Sequence, residues 1–556
     1  MGDQVESLRI PEKPMESDGS VVVAVDIGNE FTKASYWNAD DGCSNIIPID
    51  GYDSIPTAIS YSGNGVIEIG DKAIKQLQIA PKQVIRHFRQ LVGDNSFRVD
   101  AANQIQRNEV VEFSDFTWHI IANNESIKLT IEEVFVDYML LLRERIEVSL
   151  GKHISCFFVV VPLISPFLQS FFQSISNSLS IPIELITTAT SMCLSYGFFD
   201  DDVKKTILLM DLGWDSVRLQ VVFNNGNQYR MGPKTTLPSV CGKSLSEEIT
   251  TTIENQISEE LRPIVHENYG FRNKLNLNVW NALNRNKKIL EIQKQEKKHR
   301  VNDREISLAV SSTCFVHIVN RQIQKMNESL QQFFTSNDLN VESFDDVLIA
   351  GGVANCNLVY EYLQKTFPNT YFPELLTIYN PNNNANETVL VNGAAIQCAC
   401  WMGVSPSELQ SLLFIDLLPH NICIQTDKGY EVVIPKGVSI PTRKTIEVEL
   451  EEENQKNLSL SVFRSKDSEY IKLGEFDFLL NNLDVQNPSS VGVTLIIHEN
   501  GRISATCSGS YEPEVNTQNI LILLLALVIL IIAYFFLKIY FRDTRIRLGA
   551  NPIYLF

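Results

Sequence analysis

The sequence predicts a multidomain α/β protein with two related α/β halves, a small all-β domain and one transmembrane helix. Its 556 residues correspond to about three or four folding units. Buried apolar runs alternate with helical stretches up to about residue 403, and short alternating strands follow from about residue 419. Close to the C-terminus lies a long uncharged apolar run, which predicts the membrane helix.

Composition and charge exclude several classes of protein. Hydrophobic residues make up 44% of the chain and charged residues 20%, which gives ample core material and excludes a disordered or collagen-like chain. The net charge of −19 disfavours sequence-independent binding to nucleic acid, so no direct nucleic-acid partner is expected. The ten cysteines have neither zinc-site spacing nor a disulfide pattern, which favours a reducing compartment.

The same local pattern opens each α/β half. An apolar run at residues 21–25 leads to Asp26 and Gly28, and a second run leads to Asp211 and Gly213 about 185 residues later. Each pattern predicts a strand, a turn with a carboxylate at its tip, and a second strand. Such turns can offer backbone N–H groups to phosphate, although a single Asp-x-Gly turn is a common loop feature. The repeat predicts two structurally related halves.

Further strands and helices fill the two halves. Residues 156–162 predict a buried strand, and the string at residues 183–186 lies between two helical stretches, the second of which ends at Tyr196. Later, an apolar strand stops at Gly351 and Gly352 before a helix. A Gly-Gly turn allows a flat ligand to approach the backbone closely.

The β domain is predicted from four short alternating strands and a hairpin turn. The strands lie at residues 431–434, 445–450, 458–462 and 493–497, and the turn is Asn500-Gly501. Together they predict a separate domain of roughly 90 residues.

The C-terminal apolar run predicts a tail anchor. Ile520 to Leu537 are 18 uncharged residues, or about 27 Å of helix. The polar N-terminal segment, residues 1–20, lacks a secretory signal, so the soluble part is expected in the cytosol, with the anchor in the endoplasmic reticulum or mitochondrial outer membrane. Four basic residues at the end of the span favour the opposite orientation, but the missing export signal is given more weight.

Eight short sequence strings, in the order in which they occur along the chain, resemble those of the seventy-kilodalton heat-shock protein (DnaK-type) chaperones. They are Asp26-Ile27-Gly28, Val161-Pro162, Asp211-Leu212-Gly213, Gly351-Gly352, Asn392-Gly393-Ala394-Ala395, the acidic-apolar segment 412–419, Ile440-Pro441-Thr442 and Asn500-Gly501. The resemblance implies an actin-like ATPase fold with duplicated ribonuclease-H-like lobes, followed by a peptide-binding β-sandwich. The implied organisation is a flexible tail (1–20), nucleotide-binding domain (21–403), interdomain linker (404–418), β-sandwich (419–509), juxtamembrane spacer (510–518), transmembrane helix (519–538) and basic tail (539–556).

The resemblance also implies site residues, cofactors and partners. ATP or ADP is expected with Mg²⁺, and the partners are unfolded or nascent polypeptides and a J-domain co-chaperone. The implied nucleotide-binding residues are Asp26, Gly28, Asn29, Asp211, Gly213, Ser216, Lys287, Lys288, Gly351 and Gly352, with Asp26 and Asp211 holding Mg²⁺ through water. The implied peptide-binding residues are Tyr430 and Leu458, and the implied interdomain residues are Pro162, Leu412, Leu413 and Asp416. Two alternatives stay open: the lysine pair as a solvated helix face, and Leu458 as ordinary strand core.

The departures from the family pattern fall on positions that the family uses for catalysis. Arg89 stands at the position of the lysine near the γ-phosphate, and a planar guanidinium does not replace a compact ammonium. Arg218 replaces an aspartate of the second hairpin, and Thr188 replaces a glutamate implicated in hydrolysis. Trp214-Asp215-Ser216 replaces a Gly-Gly-Thr string, and Ser170 replaces an arginine of the interdomain relay.

A helical lid after the β domain is also missing from the pattern, because the spacer and the apolar run take its place. Loss of the lysine and of the lid together resembles the atypical member of the fungal ribosome-associated complex. The favoured hypothesis is therefore a membrane-anchored chaperone or co-chaperone that binds ATP and hydrolyses it weakly or not at all. The alternatives are a fully active ATP-driven foldase and a nucleotide-free membrane adaptor. A sugar kinase of the same superfold is disfavoured, because it would leave the linker and the β domain unexplained.

Overall fold

Most of the chain between residues 20 and 509 is described by a computed structural model. The described residues are 20–62, 65–77, 79–92, 111–114, 116–122, 125–197, 204–225, 228–237, 240–255, 297–301, 304–308, 312–375, 386–405, 413–418, 421–426, 429–450, 455–466, 469–480, 490–497 and 503–509. The predicted membrane span at 519–538 lies outside them. No helix within the described part of the chain is long and apolar enough to cross a membrane.

In the described part of the first α/β half there are twelve strands and four α-helices. The strands are β1 (Val21–Ile27), β2 (Phe31–Asn38), β3 (Cys43–Ile46), β4 (Ile55–Pro56), β5 (Ala58–Tyr61), β6 (Ile67–Ile69), β7 (Val84–Arg86), β8 (Glu112–Ser114), β9 (Thr117–Ala122), β10 (Glu125–Thr130), β11 (Ile154–Val161) and β12 (Ile183–Thr187). The helices are α1 (Asp71–Gln76), α2 (Ile131–Leu150), α3 (Pro166–Leu179) and α4 (Thr188–Tyr196).

The second half and the β domain follow in the same order as predicted. The second half has β13 (Lys204–Leu212), β14 (Val217–Asn225), β15 (Gln228–Leu237), α5 (Gly242–Glu254), β16 (Lys297–Val301), β17 (Arg304–Leu308), α6 (Ser312–Ser336), β18 (Asp346–Ala350), α7 (Asn357–Thr366) and α8 (Val389–Met402). The remaining strands are β19 (Leu413–Leu417), β20 (Asn421–Thr426), β21 (Gly429–Ile434), β22 (Ser439–Ile440), β23 (Thr442–Glu449), β24 (Asn457–Lys466), β25 (Glu469–Leu479), β26 (Ser490–Ile497) and β27 (Ile503–Gly509).

The two halves share a four-strand core, β11-β1-β2-β3 in the first and β18-β13-β14-β15 in the second, which confirms the prediction of related halves from the repeated Asp-x-Gly pattern. The first sheet has the order β12-β11-β1-β2-β3, and the second has the order β18-β13-β14-β15-β19-β22. In each, an antiparallel hairpin (β1 with β2, or β13 with β14) is flanked by a parallel strand, β11 or β18. These central strands are buried on both faces, as expected of parallel strands in a layered α/β fold.

A helix pair, α4 and α8, lies between the two sheets and joins the halves. One buried cluster contains residues of β1 and β11, of both helices, and of β13 and β18. The helices cross closely at Gly393, where an added Cβ atom would lie 1.8 Å from the carbonyl oxygen of Ser191. A larger residue there must separate the helices, so this glycine of the implied family motif has a packing function.

The β domain is a sandwich of two sheets with a core of its own. One sheet has the order β21-β20-β24-β25 and the other the order β23-β26-β27. The inward side chains form one buried cluster that includes Ile424, Leu458 and Val493. The strands on either side of Asn500-Gly501 pair antiparallel, with Ile497 opposite Ile503, as the hairpin prediction requires.

Candidate functional site

The two Asp-x-Gly hairpins meet, so that their aspartates influence one another electrostatically. The Asp211 carboxylate is among the charges that raise the pKa of Asp26. Each turn is closed by a backbone hydrogen bond: Gly28 N–H donates to Phe31 O (3.0 Å), and Gly213 N–H donates to Ser216 O (3.2 Å). An added Cβ at Gly28 would lie 2.7 Å from Phe31 O, so the first turn also requires glycine. The fold therefore places Asp26 and Asp211 close enough to interact electrostatically.

Each of these aspartates faces a basic residue across its own hairpin. Asp211 is the antiparallel partner of Arg218, and Arg218 Nη1 donates to Asp211 Oδ2 at 2.9 Å. Asp26 is in the same way the partner of Lys33, with Lys33 Nζ 3.9 Å from Asp26 Oδ2. The Asp211 side chain is 5% exposed and that of Arg218 is 34% exposed, so the carboxylate is largely removed from water while the guanidinium is partly solvated. The sequence comparison identified Arg218 as a departure but did not predict this ion pair.

Arg89 supplies a third positive charge, which interacts electrostatically with Asp26 and Asp215. Its side chain is buried, and its Nη1 donates to the carbonyl oxygen of Val92 at 2.9 Å. Burial and the neighbouring Arg218 lower the pKa of Arg89 to about 10, in opposition to Asp26 and Asp215. The guanidinium is therefore still charged at neutral pH, and its position is fixed by the backbone rather than by a carboxylate.

Burial also raises the pKa of Asp26 above its ordinary value, although Lys33, Arg89 and Arg218 all act to lower it. The pKa of Asp215, in the second hairpin, is likewise raised by burial. Burial disfavours the ionised form of a carboxyl group, so a buried aspartate keeps its negative charge only where cations surround it.

Two further substituted positions, Thr188 and Ser216, offer no carboxylate or imidazole for acid–base chemistry. Thr188 is the first residue of α4, and its Oγ1 donates to the carbonyl oxygen of Val161 at 3.3 Å. The hydroxyl therefore binds the end of β11, next to Pro162, instead of projecting a carboxylate. Ser216 is buried in the second hairpin, where its backbone oxygen closes the turn.

A group of residues that sequence analysis missed connects the first hairpin to the second. Glu30 accepts a hydrogen bond from Arg86 Nη2 (2.7 Å), and His87 Nε2 lies 3.1 Å from its other oxygen. His87 then stacks on Trp214, with ring centroids 6.3 Å apart. Beside it, Gln90 Nε2 donates to Asp215 Oδ1 at 3.0 Å. These contacts cross from one half to the other, and no local sequence pattern predicts contacts over such separations.

Three other predicted nucleotide residues differ in how the structure places them. Asn29 has a buried amide oxygen without a hydrogen-bond partner in the described part of the chain, which leaves this turn with polar capacity for a ligand. Gly351 has φ +93°, and an added Cβ would lie 2.3 Å from Leu212 O, so internal packing already requires this glycine. Gly352 begins the short 3₁₀ helix Gly352–Asn355. Lys287 and Lys288 lie outside the described residues.

A cavity of about 350 Å³ lies beside β18 and is lined by Tyr196, Ile349 and Tyr360, among others. Neither Asp26 nor Asp211 lines it. The candidate phosphate-binding residues therefore belong to the region between the two hairpins, called the cleft below, and not to the lining of this cavity.

Magnesium fits the residues of this cleft poorly. In nucleotide sites Mg²⁺ usually keeps several waters and is bound by one or two carboxylates together with phosphate oxygens, so it needs carboxylates whose negative charge is not already balanced by neighbouring cations. Here the Asp211 carboxylate already accepts a hydrogen bond from Arg218, Asp26 faces Lys33, and Arg89 is close by. Within the described residues, no group of three or more His, Cys, Asp or Glu side chains is arranged to hold a metal ion.

The predicted peptide residues lie on opposite sides of their sheet. Tyr430 is 41% exposed, stacks on Tyr470 with ring centroids 3.9 Å apart, and meets Phe463 edge to face at 4.9 Å. Leu458 is buried in the sandwich core. The placement of Tyr430 agrees with a surface role, whereas that of Leu458 matches the alternative of ordinary strand core.

The predicted linker forms a strand shared by two domains. Leu413 pairs in parallel with Gln228 of β15, and Asp416 pairs antiparallel with Ile440 of β22. Leu412 lies outside the described residues. The strand β19 therefore extends the second α/β sheet and connects it to the β domain through backbone hydrogen bonds.

Comparison with known proteins agrees with the order of these domains. The family model described as Hsp70 protein matches residues 22–522. A chaperone protein dnaK of Cyanidium caldarium is 22% identical over 523 residues, covering 87% of this chain and 78% of the relative. A chaperone protein dnaK of Emiliania huxleyi is 22% identical over 511 residues, covering 87% and 77%. With paired α/β halves, a linker strand and a β-sandwich in the family's order, the chain belongs to the Hsp70 family.

Proposed function

We propose that this protein is a membrane-anchored DnaK-type chaperone or co-chaperone that binds adenine nucleotide and hydrolyses it slowly or not at all. Membership of the Hsp70 family supports the chaperone class, nucleotide binding and the use of unfolded polypeptides and J-domain proteins as partners. The proposal of weak hydrolysis rests on the Asp211–Arg218 ion pair. Arg218 binds the carboxylate that the family resemblance assigns to holding Mg²⁺ through water.

A nucleotide-free adaptor is the second candidate, and one observation favours it. The contacts of His87 with Trp214 and of Gln90 with Asp215 join the two hairpins directly. If these contacts persist, they restrict access to the cleft. Against this candidate, the two turns are intact and the Asn29 amide has unused hydrogen-bonding capacity.

Thermal unfolding of the full chain in detergent micelles, with and without ATP, separates the two candidates. A ligand that binds only the folded state stabilises it in proportion to RT ln(1 + [L]/Kd), which is about 2.7 kcal/mol at 100 times Kd. We expect ATP to raise the midpoint of the nucleotide-binding domain, and an equal concentration of inorganic phosphate to raise it less. An unchanged midpoint at millimolar ATP would support the adaptor instead.

The β domain is proposed to bind extended apolar polypeptide at the exposed pair of stacked rings formed by Tyr430 and Tyr470, which is supported from below by the buried ring of Phe463. Val432, two residues after Tyr430 on the same face of β21, is also exposed and extends this apolar surface. Paired aromatic rings offer a large, rigid apolar area at low entropic cost.

We expect Tyr430→Ala to weaken binding of a fluorescent apolar peptide by about tenfold, because truncation of an aromatic anchor commonly costs 1 kcal/mol or more. The matched control is Tyr371→Ala, which removes a tyrosine that is 63% exposed in the nucleotide-binding domain. Fluorescence anisotropy measures both. Equal affinities for the two variants would place the peptide site elsewhere.

The membrane location is proposed from the sequence alone. The uncharged run at Ile520–Leu537 supports a membrane-spanning helix, and the proposed orientation keeps the two soluble domains on the cytosolic side. The membrane is that of the endoplasmic reticulum or the outer mitochondrial membrane. Protease digestion of intact organelles distinguishes this orientation from the reverse.

A further inference from the structure

The two hairpins repeat one electrostatic arrangement. In each, an aspartate at the end of the first strand lies opposite a basic residue seven positions later on the second strand: Asp26 opposite Lys33, and Asp211 opposite Arg218. Because these positions are equivalent in the two halves, both carboxylates are already matched to a cation. Neither aspartate is left as an uncompensated negative charge that requires a metal ion.

Arg89 makes the cluster net positive. It is buried, and it interacts electrostatically with Asp26, Asp215 and Arg218. Asp215 does not fully offset it, because Asp215 also interacts electrostatically with Lys243. Four cations, Lys33, Arg89, Arg218 and Lys243, therefore face three aspartates, Asp26, Asp211 and Asp215. A partly buried surplus of positive charge is stabilised by a bound anion and destabilised by an additional cation.

We propose that this cleft binds the phosphates of a nucleoside di- or triphosphate without a divalent cation, and that the guanidinium groups of Arg89 and Arg218 neutralise the phosphate charge. The inference rests on the proposed function, because it assumes that adenine nucleotide enters the cleft. It goes further because nucleotide binding then does not require Mg²⁺, and the side chains of Arg89 and Arg218 neutralise the phosphate charge in its place.

The chemistry of the guanidinium group suits this function. It is permanently charged, weakly hydrated and presents planar N–H donors that match two phosphate oxygens at once. Arg218 is the better placed of the two, because its side chain is 34% exposed and one of its nitrogens already lies on Asp211, which leaves further donors for a ligand. Mg²⁺ in the same place would be exposed to the fields of these cations.

The test is to measure the affinity of the full chain in micelles for fluorescent ADP in Mg²⁺ and in EDTA. We expect the two dissociation constants to agree within about threefold, since each guanidinium carries the charge that the ion would otherwise supply. A tenfold or greater loss of affinity in EDTA would overturn this inference while leaving nucleotide binding intact. Absence of binding in both conditions would overturn the proposed nucleotide binding, and this inference with it.

Arg218→Asp provides the matched variant. It removes the guanidinium, adds a carboxylate beside Asp211, and should make binding of ADP at least about tenfold weaker in EDTA than in Mg²⁺. Lys82→Asp is the control, because it makes the same change in charge at an exposed position of the first half. Equal affinity of Arg218→Asp in Mg²⁺ and EDTA would overturn the assignment to Arg218.

A second readout uses the wild-type chain and does not depend on the folding of a variant. Electron paramagnetic resonance of Mn²⁺ distinguishes the free ion from the bound ion. We expect addition of the protein to Mn²⁺-ADP to raise the signal of free Mn²⁺, because the protein takes up the nucleotide without its metal. A fall in that signal would mean that the metal stays in the complex, and the inference would be wrong.

Discussion

A single turnover of bound ATP on the full chain is expected to be at least about 10²-fold slower than on a DnaK-type chaperone that has lysine and aspartate at the positions of Arg89 and Arg218. Removal of one positioned charge-stabilising group typically costs a factor of about 10²–10³ in rate. Here Arg89 is held by the Val92 carbonyl oxygen, and the Asp211 carboxylate is occupied by Arg218. Two such losses in one site make the hydrolysis defect one of the largest effects expected for this protein.

The rate measurement uses radiolabelled ATP with protein in excess over nucleotide, so that a low affinity is not mistaken for a slow step. We expect the double variant Arg89→Lys with Arg218→Asp to recover part of the rate in the presence of Mg²⁺, whereas either substitution alone recovers little. Recovery is expected to be partial because Thr188 donates to the Val161 backbone and offers no carboxylate.

Arg143→Lys is the control for an arginine-to-lysine change outside the site. Arg143 Nε lies 3.0 Å from Glu147 Oε1 within the helix α2. We expect the replacement of Arg143 by lysine to leave the rate of hydrolysis unchanged. A wild-type turnover equal to that of the DnaK-type comparison would contradict the prediction and favour the fully active foldase.

The sequence predicted the elements that depend on local pattern. The apolar runs before Asp26 and Asp211 are buried strands β1 and β13, and the glycines that follow each aspartate form the predicted turns. These features follow from short-range hydrophobic pattern and from turn chemistry, both of which can be read within a few residues.

The remaining features of the site depend on contacts between distant residues. Glu30 meets Arg86 across 56 positions, and Gln90 meets Asp215 across 125. The pairing of Asp211 with Arg218 depends on strand register, which is fixed by the whole hairpin and not by either residue. A comparison with family motifs identifies Arg218 as a substitution, but only the register places it on the carboxylate.

The buried pair of Glu30 and Arg86 is expected to have the largest effect on stability. Both side chains are nearly inaccessible, at 2% and 7% exposure, with Arg86 Nη2 2.7 Å from Glu30 Oε1. Glu30→Gln leaves the Arg86 charge buried without a carboxylate, and breaking such a pair typically costs about 3–5 kcal/mol. Because a multidomain chain does not unfold in two states, the measurement is hydrogen exchange of amides in β1, β2 and β7.

The pH dependence of the same pair has a definite sign. Burial alone would raise the pKa of Glu30, but Arg86 and His87 outweigh it and lower the pKa below its ordinary value of 4.5. A group whose pKa is lower in the folded state contributes stability that is fully present above its unfolded pKa and is lost as pH falls through the folded value. The difference between wild type and Glu30→Gln should therefore be constant near neutral pH and shrink below about pH 4.5.

The control is a pair with the same separation but a different environment. Lys472 and Glu475 also lie 2.7 Å apart, but their side chains are 49% and 46% exposed. Glu475→Gln is expected to cost less than about 1 kcal/mol, because exposed ion pairs are well solvated when broken. Replacing both Glu30 and Arg86 with methionine should recover much of the loss, since no buried charge is then left without a partner. Equal exchange rates for Glu30→Gln and Glu475→Gln would show that burial does not set the strength of the ion pair. They would contradict the stabilising role proposed for Glu30.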